Sequence, residues 1–363
     1  MSREGAPPRE GRYDMYDSVR HFEQLYAAVP REFAFRASAQ EEWLAWREAF
    51  RPRLRHALGL DTMESDLHGY QPSAEMSQSE DMGTHIREQW HLWVEPTVPL
   101  PFYLLRPKTQ RGPLPLVLTP HGHNHPHIYV GIAHSEDEEQ SMLEGERDIA
   151  RQAVEEGYLA IAPTVRAFGE TRTEADRESN KTSSCRIALM HGLLVGRTPI
   201  GERVWDISRL IDWALGHLDV AAQQIAITGN SGGGTVSLFA AACEPRISVA
   251  VPSSYFCTFQ GSIGSIHHCD CNYVPGVMRL GEMYDVAGLI APRPFSAIAG
   301  KDDPIFPIAH VKSAFEHLQQ VYTVAGVPEN CQLHIGDGGH RYYKAGAWPF
   351  VRKHFGTPTT ETP

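Results

Sequence analysis

Six short apolar runs constrain this chain more than any other feature: residues 114–118, 158–162, 225–228, 247–251, 295–299 and 331–335. Each is too brief for a helix and too uniformly apolar for a strand with one wet face. Runs of that kind suit strands buried on both faces, the situation of a parallel sheet covered by helices on either side. Helical patterns stand between them. The clearest covers residues 201–218, where Val204, Ile207, Leu210, Ile211, Ala214 and Leu215 form one apolar stripe. Strands alternating with helices predict a doubly wound α/β sheet, whose chemistry sits at the carboxyl ends of the strands.

The rest of the chain fits around that sheet. Residues 91–94 and 101–105 predict an antiparallel pair ahead of the parallel strands. Residues 14–60 carry a helical pattern, with Trp43, Leu44, Trp46, Phe50, Leu54 and Leu58 at three- and four-residue spacings. The polar stretch 61–83 reads as a loop, and the first dozen residues read as disordered. The expected organisation is an N-terminal tail and helical layer (1–83) packed on a main α/β domain (84–357), with lid or pocket insertions near 125–150, 170–200 and 257–285. A length of 363 residues is compatible with one such domain.

Charge and cysteine content exclude several roles. A formal net charge of -11 repels nucleic acid and anionic lipid, so neither is an expected partner. No apolar run approaches the roughly 18 residues of a membrane span. Residues 1–20 carry no apolar stretch of a signal sequence, so the expected location is cytoplasmic and the sequon at Asn180 carries no weight. Six cysteines do not make a disulfide scaffold in a chain of this size.

Directly after the run 225–228 stands Gly229-Asn230-Ser231-Gly232-Gly233-Gly234, followed by the helical Thr235-Val236-Ser237-Leu238. This is G-x-S-x-G between a buried strand and a helix. A sharp turn there forces the serine into strained backbone geometry, lifts its Oγ above the sheet and aims a helix N-terminus at developing negative charge. A phosphate loop is the competing reading, but the Gly-Lys-Ser/Thr ending is missing and Ser237 stands where G-x-G-x-x-G needs its last glycine. Ser231 is therefore the expected nucleophile.

A histidine base and an acid should follow in the order Ser, acid, His. After the run 295–299 come Asp302 and Asp303, and after 331–335 comes His340 between Gly339 and Arg341. Asp302 and Asp303 compete to accept the Nδ1–H of His340. Asp303 is favoured because Pro304 stiffens the loop behind it. His334 falls inside a strand and is expected to be packed. Two backbone amides should hold the oxyanion. Gly232, after the nucleophile, is the first; His123, in the loop Thr119-Pro120-His121-Gly122-His123-Asn124, is the second, with Gly122 the alternative.

These pieces resemble the α/β hydrolases of the acetyl xylan esterase-like and dienelactone hydrolase-like kind. The likeness spans about residues 114–355 and rests on His121-Gly122-His123-Asn124, Arg166-Ala167-Phe168-Gly169, Gly201-Glu202-Arg203-Val204-Trp205-Asp206, Gly229-Asn230-Ser231-Gly232-Gly233, Asp303-Pro304-Ile305-Phe306-Pro307 and Gly339-His340. The resemblance implies an α/β-hydrolase fold, a mostly parallel sheet of about eight strands with helices on both faces, and a Ser-His-Asp esterase acting without a cofactor on a small-molecule ester. Dienelactone hydrolases carry cysteine where Ser231 stands, which points away from lactones. The missing secretion signal points away from polymeric xylan. A peptidase or amidase with the same triad is the runner-up, and a non-catalytic binding protein on this fold ranks third.

Two other patterns carry metal-ligating residue types. His267-His268-Cys269-Asp270-Cys271 lacks the common C-x2-C spacing and reads as a lid or pocket wall. The alternating His121, His123, His125 and His127 read as oxyanion-loop chemistry. No metal is expected from either. Arg166 is expected to be a buried anchor, and Trp205 and Asp206 to be structural. Oligomeric state is not legible.

Overall fold

The computed structural model describes residues 17–109 and 112–356. The dozen N-terminal residues expected to be disordered, and the expected domain limit at 357, lie outside them. Nine strands form one sheet in the order β1-β2-β3-β5-β4-β6-β7-β8-β9. The strands are β1 Ala74–Asp81, β2 His85–Glu95, β3 Val98–Pro107, β4 Leu114–Leu118, β5 Leu159–Pro163, β6 Val220–Asn230, β7 Val249–Ser253, β8 Phe295–Gly300 and β9 Cys331–Gly336. From β5 across to β9 all pairings are parallel, while β1, β2 and β3 pair antiparallel. The six apolar runs are β4 to β9, each within a few residues of its expected bounds.

The two-sided burial inferred from those runs is visible strand by strand. Leu116 and Leu118 of β4, Leu159 and Ile161 of β5, and Ile225 and Ile227 of β6 enter one core cluster. The alternate residues Val117, Ala160, Ala162 and Ala226 enter the other. A period of two along each strand thus fills two cores. Helices Gln40–Leu58, Pro199–His217 and Gly232–Cys243 cover the first face; Ile149–Glu155 and Lys344–Phe355 cover the second.

Helix Pro199–His217 buries the expected stripe through Val204, Ile207, Leu210, Ile211 and Ala214. Thr198 caps its start by accepting the Gly201 amide at 3.0 Å, and Pro199 fits the first helical position. In the N-terminal layer, Trp43, Phe50, Leu54 and Leu58 of helix Gln40–Leu58 belong to the same cluster as the sheet residues.

Two local readings need correction. The helical pattern 14–60 is two helices, Ser18–Ala28 and Gln40–Leu58, interrupted where Pro30 removes a backbone donor. The interruption is not slack: Phe33 stacks on Phe50 with centroids 4.8 Å apart, and the Trp46 indole donates to the Phe33 carbonyl at 2.8 Å. The supposed loop 61–83 contains most of helix Leu60–Asp66 and all of β1. β1 is a mostly exposed edge strand, so it lacks the apolar alternation that would reveal it. His334 on β9 packs against Gly346, in keeping with its place inside a strand, and is half-buried because β9 is the opposite edge.

Candidate active site

Ser231 lies between the end of β6 and helix Gly232–Cys243, with φ 58° and ψ -117°. A non-glycine residue holds such a conformation only where its surroundings impose it. Its amide donates to the Ser253 carbonyl at the end of β7, 2.9 Å away. Glycines two before and two after are sterically demanded: a Cβ at Gly229 or Gly233 would lie 2.3 Å or 2.1 Å from the Pro120 carbonyl oxygen. The loop after β4 is thus pressed onto the turn that holds Ser231.

Asp303 follows β8 and is only 4% exposed. Its Oδ1 accepts the amides of Ile305 at 2.8 Å and Phe306 at 3.2 Å, fixing the carboxylate across Pro304. Its Oδ2 lies 2.8 Å from Nδ1 of His340. A carboxylate can only accept, so Nδ1 carries the hydrogen and Nε2 is left for other chemistry. The His340 ring also stacks on Phe306, centroids 5.9 Å apart and 20° between planes. Asp302 is exposed.

Ser231 and His340 line one open cavity of about 360 Å³, together with Gly122, His123, Asn124, Arg147, Asn230, Ile266, His267, His268, Cys269 and Ile305. No direct hydrogen bond joins the Ser231 hydroxyl to the imidazole; such contacts often tighten only with substrate bound. The amides of Gly232 and His123 have no acceptor among the described residues, as groups awaiting a ligand oxygen require. Gly232 is the first residue of its helix, and the His123 ring lies against it.

The loop carrying His123 is held from below by His121. That ring is fully buried, accepts the Val165 amide on Nε2 at 2.9 Å and donates from Nδ1 to the Gly122 carbonyl at 2.8 Å. Burial pushes its pKa down to about 3, so it stays neutral in this tautomer. Arg166 forms a bidentate pair with Asp206 and another ion pair with Glu95, while the Trp205 indole donates to Val94. All three are buried, the burial expected of Arg166 among them.

Residues 266–269 line the cavity, in keeping with the pocket-wall reading of 267–271, and two features there were not visible in the sequence. His268 packs edge-on against Phe306 at 5.6 Å, and its buried Nε2 has no partner among the described residues. Burial lowers its pKa to about 4. The second is a cluster: the Nδ1 or Nε2 of His123 and the sulfurs of Cys185, Cys269 and Cys271 all lie within 4.8 Å of one another. It takes His123 from the alternating histidines, Cys269 and Cys271 from the stretch 267–271, and adds Cys185 from a third segment. No linear spacing marks it, and these are the described side chains with a metal-binding donor set.

Comparison with known proteins gives the site a context. Residues 97–262 match the family model of X-Pro dipeptidyl-peptidases (S15 family). YtaP of Bacillus subtilis, a candidate hydrolase, is 25% identical over 248 residues, covering 66% of this chain and 77% of that protein. Among solved structures, a candidate acetyl xylan esterase of Bacteroides fragilis superposes with a TM-score of 0.75 at 16% identity, over 95% of this chain and 86% of that one. A glucuronoyl esterase of Solibacter usitatus superposes with a TM-score of 0.63 at 15% identity, over 89% and 96%. At such identities the structural likeness establishes the fold. Among the described residues no helix is long and apolar enough to cross a membrane.

Proposed function

We propose that this α/β hydrolase is a carboxylic-ester hydrolase working through an acyl-enzyme on Ser231, with His340 as base and Asp303 orienting the base. The observation that carries the reading is the 2.8 Å Nδ1–Oδ2 contact of His340 and Asp303 on a cavity shared with a serine in strained backbone geometry. In the first half-reaction Ser231 Oγ attacks the acyl carbon while His340 Nε2 takes the hydroxyl proton. The tetrahedral oxyanion is held by the amides of His123 and Gly232, and the proton passes to the departing alcohol. A water activated by the same imidazole then releases the acid and restores Ser231.

The acyl group is short and the alcohol polar, a sugar ester being the favoured case. His123, Asn124, Arg147, His267 and His268 surround the serine, giving donors and acceptors for hydroxyls rather than an acyl-chain tunnel. The likeness to a candidate acetyl xylan esterase and to a glucuronoyl esterase supports that class. The expected partners are small molecules alone, and the expected location is cytoplasmic.

A peptidase acting through the same side chains is the second reading, favoured by the match to the X-Pro dipeptidyl-peptidase model. Rates on p-nitrophenyl acetate and on an X-Pro anilide separate the two. The ester reading expects the acetate to be the better substrate by kcat/KM. A larger value on the anilide would hand the site to the peptidase reading.

A further inference from the structure

We infer that His123, Cys185, Cys269 and Cys271 form a structural zinc site, and that the metal ties the oxyanion loop to the two insertions that wall the active site. This inference does not rest on the esterase reading. The four donor atoms come from three segments: the loop after β4, the first residue of helix Cys185–Leu194, and the 3-10 turn Asp270–Asn272 with its preceding residue. The Cys269 and Cys271 sulfurs are 3.2 Å apart, and the Cys271 sulfur is 3.7 Å from His123 Nε2. A tetrahedral zinc with Zn–S of about 2.3 Å and Zn–N of about 2.0 Å needs donor separations of roughly 3.5–3.8 Å. The cluster needs only small adjustment to reach that geometry.

A second observation points to the same ligand. Arg203 is 2% exposed, and a guanidinium cannot shed its charge. Among the described residues its hydrogen bonds run to the Arg166 carbonyl at 2.9 Å and to the Cys185 sulfur at 3.6 Å, not to a carboxylate, and its buried Nε has no partner. A buried cation with no anion beside it is costly. Three thiolates and one neutral imidazole around Zn²⁺ carry one net negative charge, which Arg203 neutralises. Binding releases the three thiol protons to solvent; no oxidation is involved.

The donor set decides the role. Thiolate-rich Cys3His sets select zinc, and four protein ligands leave no position for substrate, which is the pattern of a structural site. His123 offers its side chain to the metal and keeps its backbone amide for the active-site cavity, so the metal would fix the position of that amide.

The test uses the full chain, purified with reductant, loaded with zinc chloride and dialysed against a weak chelator. The expected result is one zinc retained per chain, and an X-ray absorption shell of three sulfurs and one nitrogen. The Cys185→Ser/Cys271→Ser double variant should lose the metal to background while Cys331→Ser keeps it. The Ser231→Ala variant should also keep it, so failure of the ester reading leaves this result intact. Should the double variant not fold, the absorption shell of the unaltered chain decides. Absence of retained zinc in the unaltered chain overturns the inference. So does a shell with fewer than three sulfurs, undiminished retention by a folded double variant, or a disulfide among Cys185, Cys269 and Cys271 in freshly isolated protein.

Discussion

The two walls of the cavity are built on different principles. On one side, Ser231, Asp303 and His340 follow β6, β8 and β9, so the parallel sheet itself sets where each side chain starts. On the other side, His123, Cys185, Cys269 and Cys271 sit on loops and insertions, placed by side-chain contacts such as those of His121 beneath the His123 loop and of Thr235 to Asn272 beside Cys271. The first wall is held by backbone pairing that spans the molecule. The second is held by a few side-chain contacts between segments far apart in sequence. A site assembled this way has a rigid reacting half and a half whose geometry is only as good as its local fastenings.

That contrast can be attacked from the rigid side first. Ser231→Ala should lower kcat on p-nitrophenyl acetate by on the order of a millionfold, with thermal unfolding little changed, because only the attacking oxygen is removed. Asp303→Asn should cost on the order of ten-thousandfold in kcat, since Nδ1 of His340 loses its carboxylate and the ring its tautomer. Asp302→Asn is the control: its exposed side chain predicts a rate within about twofold of the parent. Equal losses from the two aspartates would break the assignment.

Gly122→Ala probes the seam between the walls. The added Cβ would lie 2.6 Å from the Asn230 carbonyl oxygen, so the loop must back away from Ser231. A displacement of that kind is expected to reduce kcat about a hundredfold with the protein still folded. Little or no loss would mean that the loop amides do not act on the reacting group. The smallest effect is on stability: Ser231→Gly should raise unfolding free energy by about 1 kcal/mol in denaturant titrations, because glycine accepts the positive φ that strains serine.

The same contrast explains what the sequence revealed. Strands buried on both faces need apolar residues at successive positions, so β4 to β9 announce themselves. The end of each strand then marks where Ser231, Asp303 and His340 must stand. Pro304 pointed to Asp303, and in the structure that carboxylate takes two amides across the proline and lies against His340. β1 stayed hidden because residues such as Glu75, Ser79 and Glu80 owe their extended form to pairing with β2, not to a buried face of their own. The cysteine cluster stayed hidden for a deeper reason. Cys185 is a single cysteine at a helix start, and Cys269-x-Cys271 fits no familiar metal spacing. Only the folding of two insertions over the β4 loop brings them together.

Peptide mapping after fluorophosphonate treatment tests the central assignment most directly. The predicted result is one adduct per chain, on the peptide containing Ser231, formed rapidly by the parent and barely at all by His340→Ala. An unlabelled chain, an adduct on another residue, or undiminished labelling without the imidazole would contradict it.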